Sequence, residues 1–392
     1  MNIFQKDFHS SNYFTATYFL KSKTTLRDAA WELAIGQSVG NPSVRSKWET
    51  EALFEVHSVV ILADEEQLKL SSEGIVKFAF PLANIDMFGD GVSQLLCQLM
   101  GGQMDIDNVL ECHLNELKLP DLVEETYFRG PKFGVTGARS ITGVYNKPLL
   151  GGIVKPKVID KIDTLIGMVN EMIDGGVNFI KEDEIMANPS SCPLTLRVKT
   201  ISKIIERTNV IYTYCINGDN VVERARQVYE LGGRGVHVNF WSGLGSYKAI
   251  RDLNYPLFIH FQKSGDKVLT NPHHAYHIKW DVICYLAGLM GADSIHAGMW
   301  GGYMSDDDTA LRKTIHILHK NNVIPALSCG MHPGLVEAIN DRFGTDYMAN
   351  VGGALHGHPN GTKAGATAMR GAINKTYGAE YDIAIKKWGK VQ

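Results

Sequence analysis

The chain has 392 residues, enough for two domains or for one large barrel with an appendage. Apolar residues make up 44% and charged residues 21%, the balance of a soluble globular enzyme. A net charge of -3 supplies no basic face, which argues against a nucleic-acid partner. No apolar run approaches the ~20 residues needed to cross a bilayer. The opening MNIFQKDFHSSNYF lacks the apolar core of a signal peptide. Cys97, Cys112, Cys192, Cys215, Cys284 and Cys329 stand singly, without a Cys-x-x-Cys pair. That is the pattern of reduced thiols in a cytoplasmic protein.

In chain order, YFTATYFL (13–20) alternates like a strand and TLRDAAWELAIG (25–36) has helical spacing with a glycine stop. FEVHSVVILAD (54–64) and GIVKFAFPL (74–82) read as strands, and GVSQLLCQLMGG (91–102) as a helix. This order predicts a small α+β domain. YFRGPKFGVTGAR (127–139) mixes Gly, Pro and basic residues with little periodicity and reads as a junction.

From residue 150 onward the pattern changes. Short β-branched runs recur, each followed by polar or glycine residues and then a helical stretch. The runs are LLGGIVKPK, GVNFIKEDE, VIYTYCINGD, GVHVNFW, PLFIHFQK, DSIHAGMW, VIPALSCG and YMANVGG. Helices such as DTLIGMVNEMIDGG, VVERARQVYELGG and HAYHIKWDVICYLAGLMG lie between them, several closed by Gly-Gly. Eight alternations predict a (β/α)8 barrel. A doubly wound sheet would want Gly-x-Gly-x-x-Gly after its first strand, where this chain has Lys-Pro-Lys.

Active sites of such barrels lie at the C-terminal ends of the strands. In order, those ends carry Lys155 and Lys157; Lys181, Asp183 and Glu184; Asn217; His237 and Asn239; His260, Gln262 and Lys263; His296; Ser328 and Gly330; Gly352 and Gly353. Side chains alternate along a strand, so Lys181 and Asp183 share a face, and Glu184 can turn in where the strand stops. Two carboxylates make an incomplete hard-metal site suited to Mg2+. An ammonium between them would repel a cation. Burial strips a lysine of its proton, and a neutral amine can add CO2 to give an anionic carbamate oxygen. The competing reading is a solvated charged turn; the position at a barrel strand's catalytic end favours the metal. SCGMHPG and VGGALHGHPNGTKAG are glycine-rich and open helices, the usual phosphate site after strands seven and eight. His356 and His358 follow strand eight, whereas a hydrolytic zinc barrel would carry its His-x-His on strand one. His237 reads as a packed strand histidine. His273, His274, His277, His316 and His319 are expected on or near helices.

These motifs, over residues 15 to 380, resemble RuBisCO, and more closely the RuBisCO-like proteins. GGIVKPK resembles the first-strand motif with its catalytic lysine, and FIKEDE the carbamylated lysine with two metal carboxylates. SIHAG, LSCG and VGGALHGHPNG resemble the strand-six motif, the phosphate serine and the final phosphate loop. GPKFGVTGAR resembles the junction of the RuBisCO-like branch. The resemblance implies a ferredoxin-like α+β domain over residues 1–128 and a barrel over 129–392. It implies a homodimer or higher even oligomer in which the N-terminal domain helps close the partner's site. It implies Mg2+ on carbamylated Lys181, Asp183 and Glu184, with Lys155 as general acid/base and Lys157 beside it. It implies substrate and phosphate contacts from His296, Ser328, Gly330, Gly352 and Gly353. Lys263 stands where the family has a phosphate-binding arginine.

Departures point away from carboxylation. Tyr303 occupies the place of the lysine that orients CO2, Gly36 is nearest to the family's N-terminal acidic residue, and Gly102 replaces a metal-proximal asparagine. Gln262 and Asp266 replace histidines. The resemblance therefore implies a Mg2+-dependent enzyme that forms an enediolate from a phosphorylated keto sugar or keto acid without efficient CO2 fixation. Its outcome would be of the isomerase, decarboxylase or enolase type. Alternatives are the 2,3-diketo-5-methylthiopentyl-1-phosphate enolase, a true carboxylase, and a non-catalytic metabolite-binding descendant.

Overall fold

The computed structural model describes residues 3–41 and 46–391. It divides into two compact units, Met1–Phe128 with Asp266–Leu286, and Arg129–Gly265 with Ala287–Gln392.

The first unit is built on a five-stranded mixed sheet. Its strands are β1 (Tyr13–Ser22), β2 (Val60–Ile61), β3 (Glu73–Pro81), β4 (Val109–Lys118) and β10 (Tyr276–Ile278), in the order β10-β4-β1-β3-β2. The period-two pattern of β1 buries Phe14, Ala16, Tyr18 and Leu20 on one face, as an alternating strand must. The helix Leu26–Gly36 starts on a reciprocal cap: Thr25 accepts from the Asp28 backbone N–H, and the Asp28 carboxylate accepts from the Thr25 hydroxyl at 2.8 Å.

Two sequence expectations fail in this unit. Phe54–His57, read as strand, ends the helix Glu51–His57, because Thr50 caps it by accepting from the Leu53 N–H at 3.2 Å. Only Val60–Ile61 of that run pairs in the sheet. The run 274–291, read as one helix, first gives β10, which pairs in parallel with β4 (His277 opposite His113), and then the helix Trp280–Leu289. His277 is therefore a sheet residue.

The second unit is a closed parallel barrel. Its strands are β5 (Leu149–Ile153), β6 (Phe179–Lys181), β7 (Ile211–Cys215), β8 (Gly235–Asn239), β9 (Phe258–Gln262), β11 (Ser294–Gly298), β12 (Ile324–Leu327) and β13 (Met348–Val351). All eight expected strands form. The interior begins with an apolar layer of Leu149, Phe179, Ile211, Phe258, Ile324 and Met348. Each such side chain contributes roughly 1.5–3 kcal/mol by leaving water.

The segment read as an aperiodic junction contains the helix Gly134–Thr142, which adds Ala138 to this core, with Phe133 and Val135 packed against it. Its start is fixed by buried Asp293. One carboxylate oxygen accepts from the Phe133 and Gly134 N–H groups at 2.6 and 3.0 Å. The other accepts from Arg251 Nη2 and the Ile259 N–H, both at 2.7 Å. Gly134 takes φ +56°, and a Cβ there would lie 1.9 Å from the Asn322 carbonyl, so only glycine fits. With one end sealed by apolar side chains, polar interior residues are left for the other.

Candidate active site

β6 sets the geometry. Phe179 belongs to the apolar layer, and Lys181, two residues on, shares its face. Ile153 and Thr213 flank Lys181 in register on the adjacent strands. The Lys181 side chain is 1% exposed; its amine donates to the Glu182 carbonyl at 3.1 Å and lies 3.5 Å from Glu184 Oε2. Burial pulls the Lys181 pKa below the ordinary lysine value, although the Glu184 and Asp183 charges oppose it.

Asp183 is fully buried. One oxygen accepts from the Ile185 N–H at 3.1 Å, and the other takes the Lys155 ammonium from β5's end. The Glu184 backbone is tied down by Asn217, whose amide donates to the Glu184 carbonyl at 2.7 Å and accepts from the Asn239 N–H at 2.8 Å. Burial pushes the Glu184 carboxyl up, but the Lys181 charge and hydrogen bonds from its own backbone and Ser264 leave it lowered.

Glu182 faces the other way and was not singled out in the sequence. It accepts from Arg197 Nε and Nη2, from the Tyr212 hydroxyl at 3.1 Å and from the Cys215 N–H at 2.8 Å. Arg197 also donates to the Ala187 carbonyl at 2.8 Å and to that of Cys192. The loop carrying Asp183 and Glu184 is thus stapled from behind.

Across the barrel mouth, His296 is buried, and its pKa is pushed down to about 3 by burial and then by the Lys263 and Lys181 charges. It is a neutral imidazole at any ordinary pH. The Cys329 thiol lies 3.9 Å from its Nε2. Ser328 is buried at the end of β12. Gly330 takes φ +107°, and a Cβ there would meet the Tyr303 backbone nitrogen at 2.6 Å, so the loop after β11 rests directly on it. Lys263 is nearly buried, with Nζ 4.0 Å from Asp306 Oδ1. A Cβ on Gly352 would lie 3.5 Å from the Lys155 side chain, while Gly353 faces open space.

The structure therefore brings Lys155, Lys181, Asp183 and Glu184 together, and places Lys263, His296, Ser328 and Gly330 along the adjoining strand ends. Lys157 is exposed on the loop after β5, with no hydrogen bond or ion pair to the cluster. Tyr303 is 81% exposed. His356 is occupied by the Ile153 carbonyl (2.8 Å) and Thr362 (3.1 Å), and His358 by the Glu380 carbonyl (3.0 Å), so neither is poised for zinc. His237 is fully buried in β8.

Among the described residues no group of three or more His, Cys, Asp or Glu side chains is arranged to hold a metal ion. Asp183 and Glu184 alone are too few for a hard cation. The donor set fits Mg2+ once the desolvated Lys181 amine, which lies beside them and is already depressed in pKa, carries CO2 as a carbamate. No described helix is long and apolar enough to cross a membrane.

The sequence model of the family described as ribulose bisphosphate carboxylase large chain, catalytic domain, matches residues 134–321 and 314–388. A ribulose bisphosphate carboxylase from Archaeoglobus fulgidus is 28% identical over 416 residues, covering 94% of this chain and 92% of the relative. A 2,3-diketo-5-methylthiopentyl-1-phosphate enolase from Geobacillus kaustophilus is 28% identical over 415 residues, covering 96% and 98%. The crystal structure of a rubisco-like protein from Alicyclobacillus acidocaldarius matches with a TM-score of 0.82 at 27% identity, over 97% of this chain and 100% of that one.

Proposed function

The chain belongs to the ribulose bisphosphate carboxylase large-chain catalytic-domain family, and on that premise we propose that it is a Mg2+-dependent enolising enzyme that does not fix CO2 efficiently. Its substrate would be a keto sugar or keto acid, phosphorylated at one end. The observation that carries this reading is the buried Lys181 amine set between Asp183 and Glu184, with Lys155 on Asp183.

Mg2+, held by a Lys181 carbamate, Asp183 and Glu184, would supply positive charge beside oxygens that become anionic as the substrate loses a proton or CO2. The chain's own residues do the rest. Lys155 would move the proton at the carbon next to the carbonyl, a reading supported by its place beside Asp183 and its partial exposure. His296, being neutral, can both donate to and accept from substrate oxygens without adding charge. Lys263 and Ser328 bind an anionic or hydroxylated end, and Gly330, Gly352 and Gly353 let backbone approach it closely. Lys263 supplies charge but not an arginine's two-pronged fork. Lys157, exposed on its loop, serves as a second cation near the entrance.

Tyr303 argues against carboxylation, since a phenol cannot give the positive charge that holds added CO2. The similarity to the Geobacillus enolase is as extensive as that to the Archaeoglobus carboxylase, which keeps a tautomerising outcome as the second reading. Incubating the protein in heavy water with Mg2+, bicarbonate and a panel of phosphorylated ketoses and diketones separates the outcomes by NMR: tautomerisation, isomerisation or decarboxylation. We further infer a homodimer or higher even oligomer; a monomer by light scattering would overturn that.

A further inference from the structure

We propose that the chain carries a second small-molecule site, at the N-terminal end of the barrel, built for a free amino acid with a large apolar side chain. The candidate active site lies at the opposite ends of the strands, and the proposal does not rest on the enolising reading.

A cavity of about 510 Å3 opens beside the starts of β7 and β9. Small-molecule sites run from roughly 300 to 1,000 Å3 and are mostly apolar with a few placed polar groups. The body of this one is apolar, with Phe133, Ile141, Phe258 and the side chains of Tyr212 and Tyr214 in its wall. Tyr212 and Tyr214 alternate along β7 with Ile211 and Thr213, so they face outward from the barrel interior. Their ring centroids are 4.7 Å apart. The Tyr212 hydroxyl is taken up by Glu182 at 3.1 Å.

Another part of the wall carries no side chains. Gly232 and Gly233 follow the helix Val221–Glu230 and line the cavity. Gly232 takes φ +97°, a conformation that favours glycine. A Cβ on Gly233 would lie 2.9 Å from the Tyr214 ring and 2.5 Å from Val228. The fold therefore keeps bare backbone at this wall.

Two opposite charges stand on the exposed rim. Arg234 is held by its own neighbourhood: Nη1 donates to the Gly233 carbonyl at 2.8 Å and the Tyr229 carbonyl at 3.3 Å, and the guanidinium lies 4.8 Å from the Tyr229 ring centroid. Those contacts use one nitrogen, and Arg234 has no carboxylate partner among the described residues. Glu206, just past the helix Leu194–Ile205, is exposed, and its carboxylate has no hydrogen bond or ion pair among the described residues. Ser202, one turn earlier, gives its proton to the Val198 carbonyl at 2.6 Å, which leaves its oxygen free to accept. A guanidinium fork suits a carboxylate, and Glu206 with Ser202 Oγ suits an ammonium. One cation and one anion around an apolar body match a zwitterion with an apolar side chain. A sugar phosphate would set its charge against Glu206 and its hydroxyls against the apolar wall.

The test is isothermal titration calorimetry of the full chain with L-phenylalanine, expected to bind saturably with one site per chain. N-acetyl-L-phenylalanine, which lacks the ammonium, and L-phenylalaninamide, which lacks the carboxylate, are each expected to bind about tenfold more weakly or worse, the scale of one lost charge-assisted contact. Glycine, which lacks the apolar side chain, should give no measurable binding. Arg234→Met is expected to weaken L-phenylalanine by the same factor. Glu206→Gln, exposed and unpartnered, should do so too, and it covers the case in which Arg234→Met fails to fold. No saturable heat from L-phenylalanine at any soluble concentration would overturn the proposal. Glycine binding as tightly as L-phenylalanine, or wild-type affinity in both variants, would also overturn it.

Discussion

Arg197 and Glu182 meet as a doubly hydrogen-bonded ion pair at 2.8 and 3.0 Å, neither side chain exposed. Glu182 sits between Lys181 and Asp183 in the chain but faces away from them. The pair therefore holds the strand end in place while its neighbours serve the site. Arg197→Met leaves Glu182 buried without its counter-charge and is expected to cost about 3–5 kcal/mol in urea unfolding. Glu182→Gln combined with Arg197→Met should recover much of that loss. A single-variant cost under about 1 kcal/mol would show that the pair does not staple the loop.

Buried histidines make stability depend on acid. The His296 pKa is pushed down to about 3, and burial also takes His237 and His260 well below the ordinary value. In the unfolded chain they titrate near about 6.5. Above that pH neither state is protonated and the three cost nothing. As pH falls from there toward the folded values, the unfolded chain binds protons that the folded one refuses, so stability is lost progressively. Urea unfolding at pH 7.5, 5.5 and 4.5 should show this decline, and His296→Asn should make it shallower. A variant with an unchanged slope would rule out a contribution from His296.

Lys155 contacts Asp183 but is a third exposed, so it can reach a substrate. Lys155→Met should leave Mn2+ binding within about threefold of wild type while reducing solvent exchange at the substrate's α-carbon by about 10²-fold or more, the scale of a lost acid/base group. Exchange at the wild-type rate would remove it from the proton transfer.

By the resemblance read in the sequence, Tyr303 takes the place of the lysine that orients CO2, and the proposed function rests on that replacement. Given ribulose bisphosphate, Mg2+ and isotopically labelled bicarbonate, the protein should incorporate no acid-stable label. Label incorporation at a rate comparable to exchange would reverse the reading of that loop.

Much of the barrel was legible because its strands are short β-branched runs buried on both faces, each bounded by glycine or charge. The expectation that Lys181 and Asp183 share a strand face does not apply as such, because the strand stops at Lys181 and Asp183 lies beyond it. The back of the site was not legible. Arg197 lies on the outer helix Leu194–Ile205, and no spacing rule joins it to Glu182. The helix Gly134–Thr142 hid behind two glycines, Gly134 and Gly137, that lower helix propensity, and only packing of Ala138 into the barrel's end reveals it. β10 was absorbed into a helical reading because three residues are too few to set a period, and its partner β4 lies far back in the sequence.

The most direct test of an enolising metal site at Lys181 is deuterium exchange. Wild type and Lys181→Ala would be incubated in heavy water with Mg2+, bicarbonate and a 2,3-diketo or keto-sugar phosphate, and the α-carbon proton followed by NMR. Wild type is expected to exchange that proton only when Mg2+ is present, and Lys181→Ala not to exchange it. Exchange by Lys181→Ala at the wild-type rate, or exchange by wild type that ignores Mg2+, would contradict the assignment.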